Sequence, residues 1–297
     1  MREILEEDTA PAREREALPD ELARRLQCPR CGRGALSPEQ DALSCQACGV
    51  RFPIRDGRFP DFLSDAERTA MEREIAFWRD SIGEHVYQDE SEESYRHWAE
   101  LLGTSPSDAA IEIGCGSGAL LSRLEAGLKV GIDPAKNLLV PTHGFFGFVC
   151  NACHLPFKDG TFDLAYFKHS LHHVEDKRRG FDEAVRITRP GGRLVIIEPN
   201  ASHPQRRLIS NPRSIFRTTR LLTRFIGPVE TFQTMDELLA WAKESRLDCE
   251  AAQFTESEYD RLTVRQALQK IYARVLKPVL PEKYLHPNYF LSFRKPA

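Results

Sequence analysis

Apolar residues along this chain fall into two spacings that alternate. Short runs with few polar interruptions lie at Ile111–Ile113, Lys129–Ile132, Gly160–Phe167 and Leu194–Pro199. Runs of this length, bounded by glycine, aspartate or proline, read as strands buried on both faces. Helical spacing separates them: Ala119–Leu124, Phe181–Thr188 with Phe181, Ala184, Val185 and Ile187 as its apolar positions, and Met235–Arg246. The alternation predicts an α/β fold with a parallel sheet covered on both faces. Tyr289–Phe293 predicts a last strand, antiparallel, at or next to the sheet edge. Ahead of the sheet, Ser64-Asp65-Ala66-Glu67 has the pattern of a capping box, followed by an apolar stripe of Met71, Ile75, Trp78 and Ile82. A second helix is expected over Ser94–Leu102.

Chemistry enters where the first strand ends. Gly114-Cys115-Gly116-Ser117-Gly118 is a glycine-rich turn between strand and helix, and Asp133 closes the second strand 19 positions after the first glycine. Such a unit suits a nucleoside-bearing cofactor. The glycines admit the ligand to the backbone, the helix start faces it, and the acid suits a ribose diol. The spacing is Gly-x-Gly-x-Gly with Glu112 before it, where a dinucleotide fingerprint has Gly-x-Gly-x-x-Gly. Glu112 would repel a pyrophosphate but attract an ammonium group. A nicotinamide-type fold with a drifted fingerprint is the alternative.

On these residues the chain resembles the class I methyltransferases that use S-adenosylmethionine (SAM), especially the small-molecule and natural-product group. Further segments match in order. Val149–Phe157 contains Asn151-Ala152 followed by Leu155-Pro156-Phe157, where the family has an acid, an alanine, a variable pair and Leu-Pro-Phe. The acid accepts a hydrogen bond from the adenine amino group; Asn151 keeps a side-chain carbonyl for it, without the charge. Lys168-His169-Ser170-Leu171-His172-His173 follows strand four, and Arg189-Pro190-Gly191-Gly192 is the expected turn before strand five. The resemblance implies a Rossmann-like, doubly wound, seven-stranded sheet with an antiparallel last strand. It assigns the methionine part to Glu112, Gly114, Cys115, Gly116 and Gly118, the ribose to Asp133, and adenine to Asn151 and Ala152. Lys168 joins the cofactor set, and His169 and His172 are candidate general bases, although such histidines are often structural in this group.

Four cysteines stand apart from this pattern. Cys28-Pro29-Arg30-Cys31-Gly32 and Cys45-Gln46-Ala47-Cys48-Gly49 are two knuckles separated by 13 residues. Each aims two thiolates at one point, and together they predict a structural zinc ion in a closed four-thiolate site. A redox pair or a metal-free ribbon is the alternative. The segment resembles the zinc-ribbon family that includes the activator subunit of tRNA and protein methyltransferases, a separate chain in those systems. Its role here is docking on the catalytic domain or helping to bind substrate. Cys150-x-x-Cys153-His154 is a single knuckle beside the expected adenine pocket and is not assigned a metal.

The expected organisation is a disordered tail over 1–20, the ribbon over 21–63, a helical connector or lid over 64–104, and the SAM-binding domain over 105–297. Phe77, Trp78, Tyr87, Tyr95 and Trp98 are either lid or helix-packing core. Charge is uneven: residues 201–297 hold 16 basic and 10 acidic residues, whereas 1–200 hold 25 and 34. A basic helical insertion is expected over 201–230, with Arg213, Arg217, Arg220 and Arg224 forming one stripe. That stripe is a solvated face, a site for an anionic substrate group, or a contact for nucleic acid or membrane. No apolar run reaches the ~20 residues needed to span a membrane, and no signal-peptide pattern opens the chain, so a cytoplasmic location is expected. The functional expectation is methyl transfer from SAM to an oxygen or nitrogen of a small or lipid-linked metabolite. RNA base methylation is the runner-up, and a non-catalytic adaptor or RNA-binding protein is the alternative of another class.

Overall fold

A computed structural model describes residues 18–81, 91–140, 144–204, 206–207, 231–255 and 271–297. The expected tail over 1–20 and the arginine insertion over 201–230 lie largely outside these residues, as do Tyr87 and the side chains of Phe77 and Trp78.

The N-terminal unit begins with helix α1 (Asp20–Arg25), followed by a four-stranded antiparallel sheet, β1 (Leu36–Pro38), β2 (Ala42–Cys45), β3 (Arg51–Arg55) and β4 (Phe59–Pro60), in that order. Two helices connect it to the larger unit: α2 (Asp65–Ser81) and α3 (Glu92–Leu102). The predicted capping box starts α2. Ser64 N–H and Oγ donate to Glu67 Oε2, and Glu67 N–H donates to Ser64 Oγ.

The second sheet contains β5 (Ala109–Ile113), β6 (Leu128–Ile132), β7 (Phe146–Phe148), β8 (Phe162–Lys168), β9 (Thr188–Pro199), β10 (Asp248–Thr255) and β11 (Asn288–Arg294), in the spatial order β10-β11-β9-β8-β5-β6-β7. The five strands from β7 to β9 are parallel, and β11 lies antiparallel between β9 and β10, one place in from the edge. Its helices include α4 (Ala119–Ser122), α5 (Lys177–Ile187) and α6 (Met235–Glu244). In β8, Ala165 and Phe167 belong to one apolar cluster and Leu164 and Tyr166 to the other. Burial on both faces is why the sequence shows unbroken apolar runs there.

Three element bounds differ from expectation. Helix α5 starts at Lys177 because Asp176 caps it, its side chain accepting from Arg179 N–H. Residues 189–192, expected as a turn, continue β9: Gly191 N–H donates to Lys295 O, and Lys295 N–H to Gly192 O. Helix α4 is a single turn. Tyr95 and Trp98 are buried, with Trp98 stacked 6.2 Å from Phe290, so these two side chains are packing core.

The ribbon and the larger sheet share a core. Phe52, Phe62, Phe148, Phe157 and Phe162 form a continuous line of ring contacts at 4.8, 6.0, 5.5 and 5.0 Å. Backbone bonds join the same units: Phe62 N–H to Val149 O, Val149 N–H to Pro60 O, and Gln27 N–H to Pro156 O. The chain after β4 is thus paired to the chain after β7, the exposed-edge strand, in the parallel sense. An edge strand leaves unpaired backbone groups, and this pairing satisfies those of Val149, just past β7.

Candidate cofactor cleft and four-cysteine cluster

The cleft is built by the turn after β5. Gly114 and Cys115 N–H both donate to Ile132 O at 2.9 Å, which ties the turn to the end of β6. Gly114 and Gly118 have φ of +76° and +72°. A Cβ at Gly114 would lie 2.5 Å from Ser170 Cβ, and one at Gly118 would lie 2.2 Å from Phe145 Cε1. Both positions therefore need glycine for conformation and for space.

Asp133 follows β6 directly. Its Oδ2 accepts from Gly116 N–H at 3.0 Å and its Oδ1 from Ala135 N–H at 2.8 Å. The residue is 7% exposed. Burial pushes its carboxyl up to about 6, against the pull of the two amides. Each oxygen retains acceptor capacity, as a ribose diol requires. Glu112 is buried and accepts from the Tyr166 hydroxyl at 3.0 Å. The Cys115 thiol is buried beside these acids, and burial, with Asp133 and Glu112, raises it well above the usual thiol value. This donor set fits a cationic nucleoside better than a phosphate-bearing one.

At the end of β7, Asn151 Oδ1 accepts from Cys153 N–H at 2.9 Å, while Nδ2 donates to Glu67 Oε1 at 3.3 Å. His154 Nδ1 lies 2.9 Å from the same oxygen. The carboxylate near this position therefore comes from the capping box of α2. An aspartate at 151 would place two like charges together, which gives a physical reason for the amide. Ala152 is half-buried against the same core.

The loop after β8 carries the candidate bases. Lys168 ends the strand and is partly exposed. His169 has φ +52°, donates its N–H to Ile197 O at 2.9 Å and is half-buried. Glu198, near the end of β9, organises the rest. Its Oε1 accepts from Ser170 and Leu171 N–H at 2.8 and 2.7 Å, and its Oε2 lies 2.5 Å from His172 Nδ1. Burial, with His173 beside it, lowers His172 to about 3. The ring is therefore neutral, donates Nδ1–H to Glu198 and holds the loop; His169 is the more exposed of the two candidates. Next to it, His173 Nδ1 lies 2.8 Å from Glu74 Oε1 on α2.

Glu67, Glu74 and Glu198 were not among the sequence-assigned residues. Glu198 had a signal, an acid at the end of an apolar strand. Glu67 had its capping-box position. Glu74 sits three residues after Met71 and four before Trp78, on the flank of the apolar stripe, and an acid there is a weak signal of burial.

The four ribbon cysteines converge. Their Sγ atoms all lie within 4.8 Å of one another. Cys28 and Cys48 sulfurs are 3.8 Å apart, and those of Cys31 and Cys45 are 3.7 Å apart. A tetrahedron with Zn–S bonds of about 2.3 Å has edges of about 3.8 Å, whereas a disulfide needs about 2.05 Å. The two knuckles are built alike: Gly32 N–H donates to Cys28 O and Gly49 N–H to Cys45 O, both at 2.9 Å. Arg213, Arg217, Arg220 and Arg224 lie outside the described residues. Among the described residues, no helix is long and apolar enough to cross a membrane.

Comparison with known proteins agrees with this architecture. Residues 111–196 match the model described as a methyltransferase domain, and residues 22–57 match that of the Trm112p-like proteins. The chain is 27% identical over 180 residues to O-methyltransferase resE of Aspergillus sclerotiorum, covering 56% of this chain and 65% of that one. It is 26% identical over 227 residues to the 27-O-demethylrifamycin SV methyltransferase of Amycolatopsis mediterranei, covering 66% and 80%. Among solved structures, a complex of the Haloferax volcanii Trm112 methyltransferase activator and a methyltransferase matches with a TM-score of 0.52 at 13% identity, covering 77% of this chain and 97% of that one. That likeness concerns the fold. The chain thus carries a SAM-dependent methyltransferase domain and a Trm112p-like four-cysteine ribbon in the same polypeptide.

Proposed function

We propose that this protein transfers a methyl group from SAM to an oxygen or nitrogen atom of a small or lipid-linked metabolite. The observation that carries the proposal is the meeting of the Gly114–Gly118 turn with the buried carboxylates of Asp133 and Glu112 at the ends of β5 and β6. In this reading Glu112 and the turn, with Cys115 and Gly116 in it, hold the methionine part, Asp133 the ribose, and Asn151 with Ala152 the adenine. Lys168 and His169 line the side where the acceptor enters, and His169 is the proton acceptor where the nucleophile is a hydroxyl. His172 positions the loop through Glu198.

When bound, SAM supplies an activated methyl group. What remains for this chain is to orient the acceptor, exclude water and take up a proton. Both relatives described above are named as methyltransferases of oxygen, and the bacterial one is named for a small molecule; these names support a metabolite over RNA. We assign zinc to Cys28, Cys31, Cys45 and Cys48. The ion would hold together a ribbon too small to be stable on its own core, and the paired edge after β7 supports docking in cis as the ribbon's role.

Calorimetric titration of the zinc-loaded protein with SAM and with S-adenosylhomocysteine, with and without total RNA, tests the proposal. Micromolar SAM binding that RNA leaves unchanged is expected. Binding or turnover that appears only with RNA would favour an RNA substrate; no binding in either case would favour a non-catalytic adaptor. Asp133→Ala should weaken SAM binding by about 1–3 kcal/mol, the worth of lost hydrogen bonds to a buried carboxylate.

A further inference from the structure

Helix α2 lies in the segment expected as a connector or lid, but the acid it carries at Glu74 was not assigned a role by the sequence. Its start is fixed to the ribbon and to the sheet edge. Asp61, 3% exposed, bonds Arg68 of α2 at 2.6 Å and Arg55 of β3 at 2.9 Å. From there Glu67 meets Asn151 and His154, after β7. Glu74 meets His173, after β8. Seven residues of helix span about 10 Å. The strands lie in the order β8-β5-β6-β7, so β7 and β8 are three spacings of about 4.8 Å apart. A helix touching the loops after both strands crosses the ends of β5 and β6, where the glycine turn and Asp133 stand. It also packs on the turn Lys136–Leu138, just past Asp133. Glu74 itself is 5% exposed. Its charge, like that of His173, is felt at the Asp133 carboxyl.

We propose that Glu74, on the helix that crosses the cleft, is a specificity-determining residue for the cofactor's positive charge. The inference rests on the reading of the cleft as a SAM site. Three carboxylates, Glu74, Asp133 and Glu112, are buried; Glu74 acts on the Asp133 carboxyl, and Asp133 and Glu112 both act on the Cys115 thiol. Asp133 is assigned to a neutral diol and Glu112 to the ammonium group. Glu74, on the β8 side with His173, is left to face the sulfonium. A buried carboxylate attracts a cation far more strongly than one in water does, and it distinguishes the charged cofactor from its neutral, demethylated product.

SAM and S-adenosylhomocysteine differ by one methyl group and one positive charge, so the ratio of their affinities isolates the charge. The test is calorimetric titration of the full, zinc-loaded chain and of its Glu74→Gln and Glu74→Asp variants with both ligands, with a thermal melt of each. Glu74→Gln should lose about tenfold or more in SAM affinity while binding of S-adenosylhomocysteine changes less than about threefold. Glu74→Asp keeps the charge and should keep the preference for SAM, which preserves the test if the glutamine variant folds poorly. Equal losses for both ligands would reduce Glu74 to a shape-giving residue and overturn the proposal, as would unchanged affinities. If the unsubstituted chain fails to bind SAM, the functional reading falls and this inference falls with it; a failure confined to the variants' ratio touches only Glu74.

Discussion

Replacing Asp133 with asparagine separates the demands of folding from those of binding. The carboxyl is buried and sits at about 6 instead of the ordinary 3.8, a gap worth about 3 kcal/mol at 1.36 kcal/mol per pH unit. The folded state holds this proton more tightly than the unfolded chain does. The associated stability is complete below pH 3.8 and is lost as the pH rises through about 6. At pH 7 the ionised, buried carboxylate therefore costs the fold about 3 kcal/mol. Asparagine does not titrate. Its one oxygen can take only one of the two amides, Gly116 N–H or Ala135 N–H, at a pH-independent cost of about 1–3 kcal/mol. Asp133→Asn should thus be less stable than the unsubstituted protein near pH 4.5 and gain on it by about 2 kcal/mol by pH 7.5. Urea unfolding of both proteins, cofactor-free and zinc-loaded, at matched pH values measures the difference, and comparison at equal pH cancels groups common to both. His173 and Glu74 are the other charges that act on Asp133, and both are retained. A stability difference that stays flat across that range would refute the assignment of a raised carboxyl.

The remaining predictions concern the ribbon and the adenine side. Phe62→Ala, in the middle of the aromatic line between Phe52 and Phe148, should cost about 3–5 kcal/mol in denaturant unfolding; a loss under about 1 kcal/mol would mean that the ribbon does not share the sheet's core. Metal analysis should return one zinc per chain, and chelation should lower the melting temperature and open the ribbon to protease; a chelated protein that melts unchanged would show a metal-free ribbon. Asn151→Asp should destabilise the protein by about 1–2 kcal/mol at neutral pH through repulsion by Glu67. Combining it with Glu67→Gln should recover part of that loss, and a strictly additive double variant would count against the contact.

Much of the catalytic unit was legible because it is written locally. Burial on both faces of β5, β8 and β9 requires apolar runs. The turn after β5 requires glycine where φ is positive and a side chain would collide, and a zinc knuckle requires two cysteines and a glycine within five residues. Each of these constraints acts between neighbours in the chain, so it leaves a spacing in the sequence. The extension of β9 through residues 189–192 left no such trace, because its partner is the far end of β11.

The partners of the acids that organise the cleft were decided by tertiary structure. Glu67 reaches Asn151 and His154 across 84 and 87 positions, and Glu198 reaches His172 across 26. Their local signals, a capping-box position for Glu67 and the end of an apolar strand for Glu198, do not say which distant groups they meet. A carboxylate is kept in a buried place by the donors that converge on it, and those donors arrive from other elements only after the sheet has formed. The same holds for the ribbon. Four cysteines specify a metal cluster by themselves, but which face Phe52 and Phe62 cover depends on the edge that β7 leaves open. Hydrophobic burial is non-directional; the backbone pairing after β4 and β7 gives it a direction.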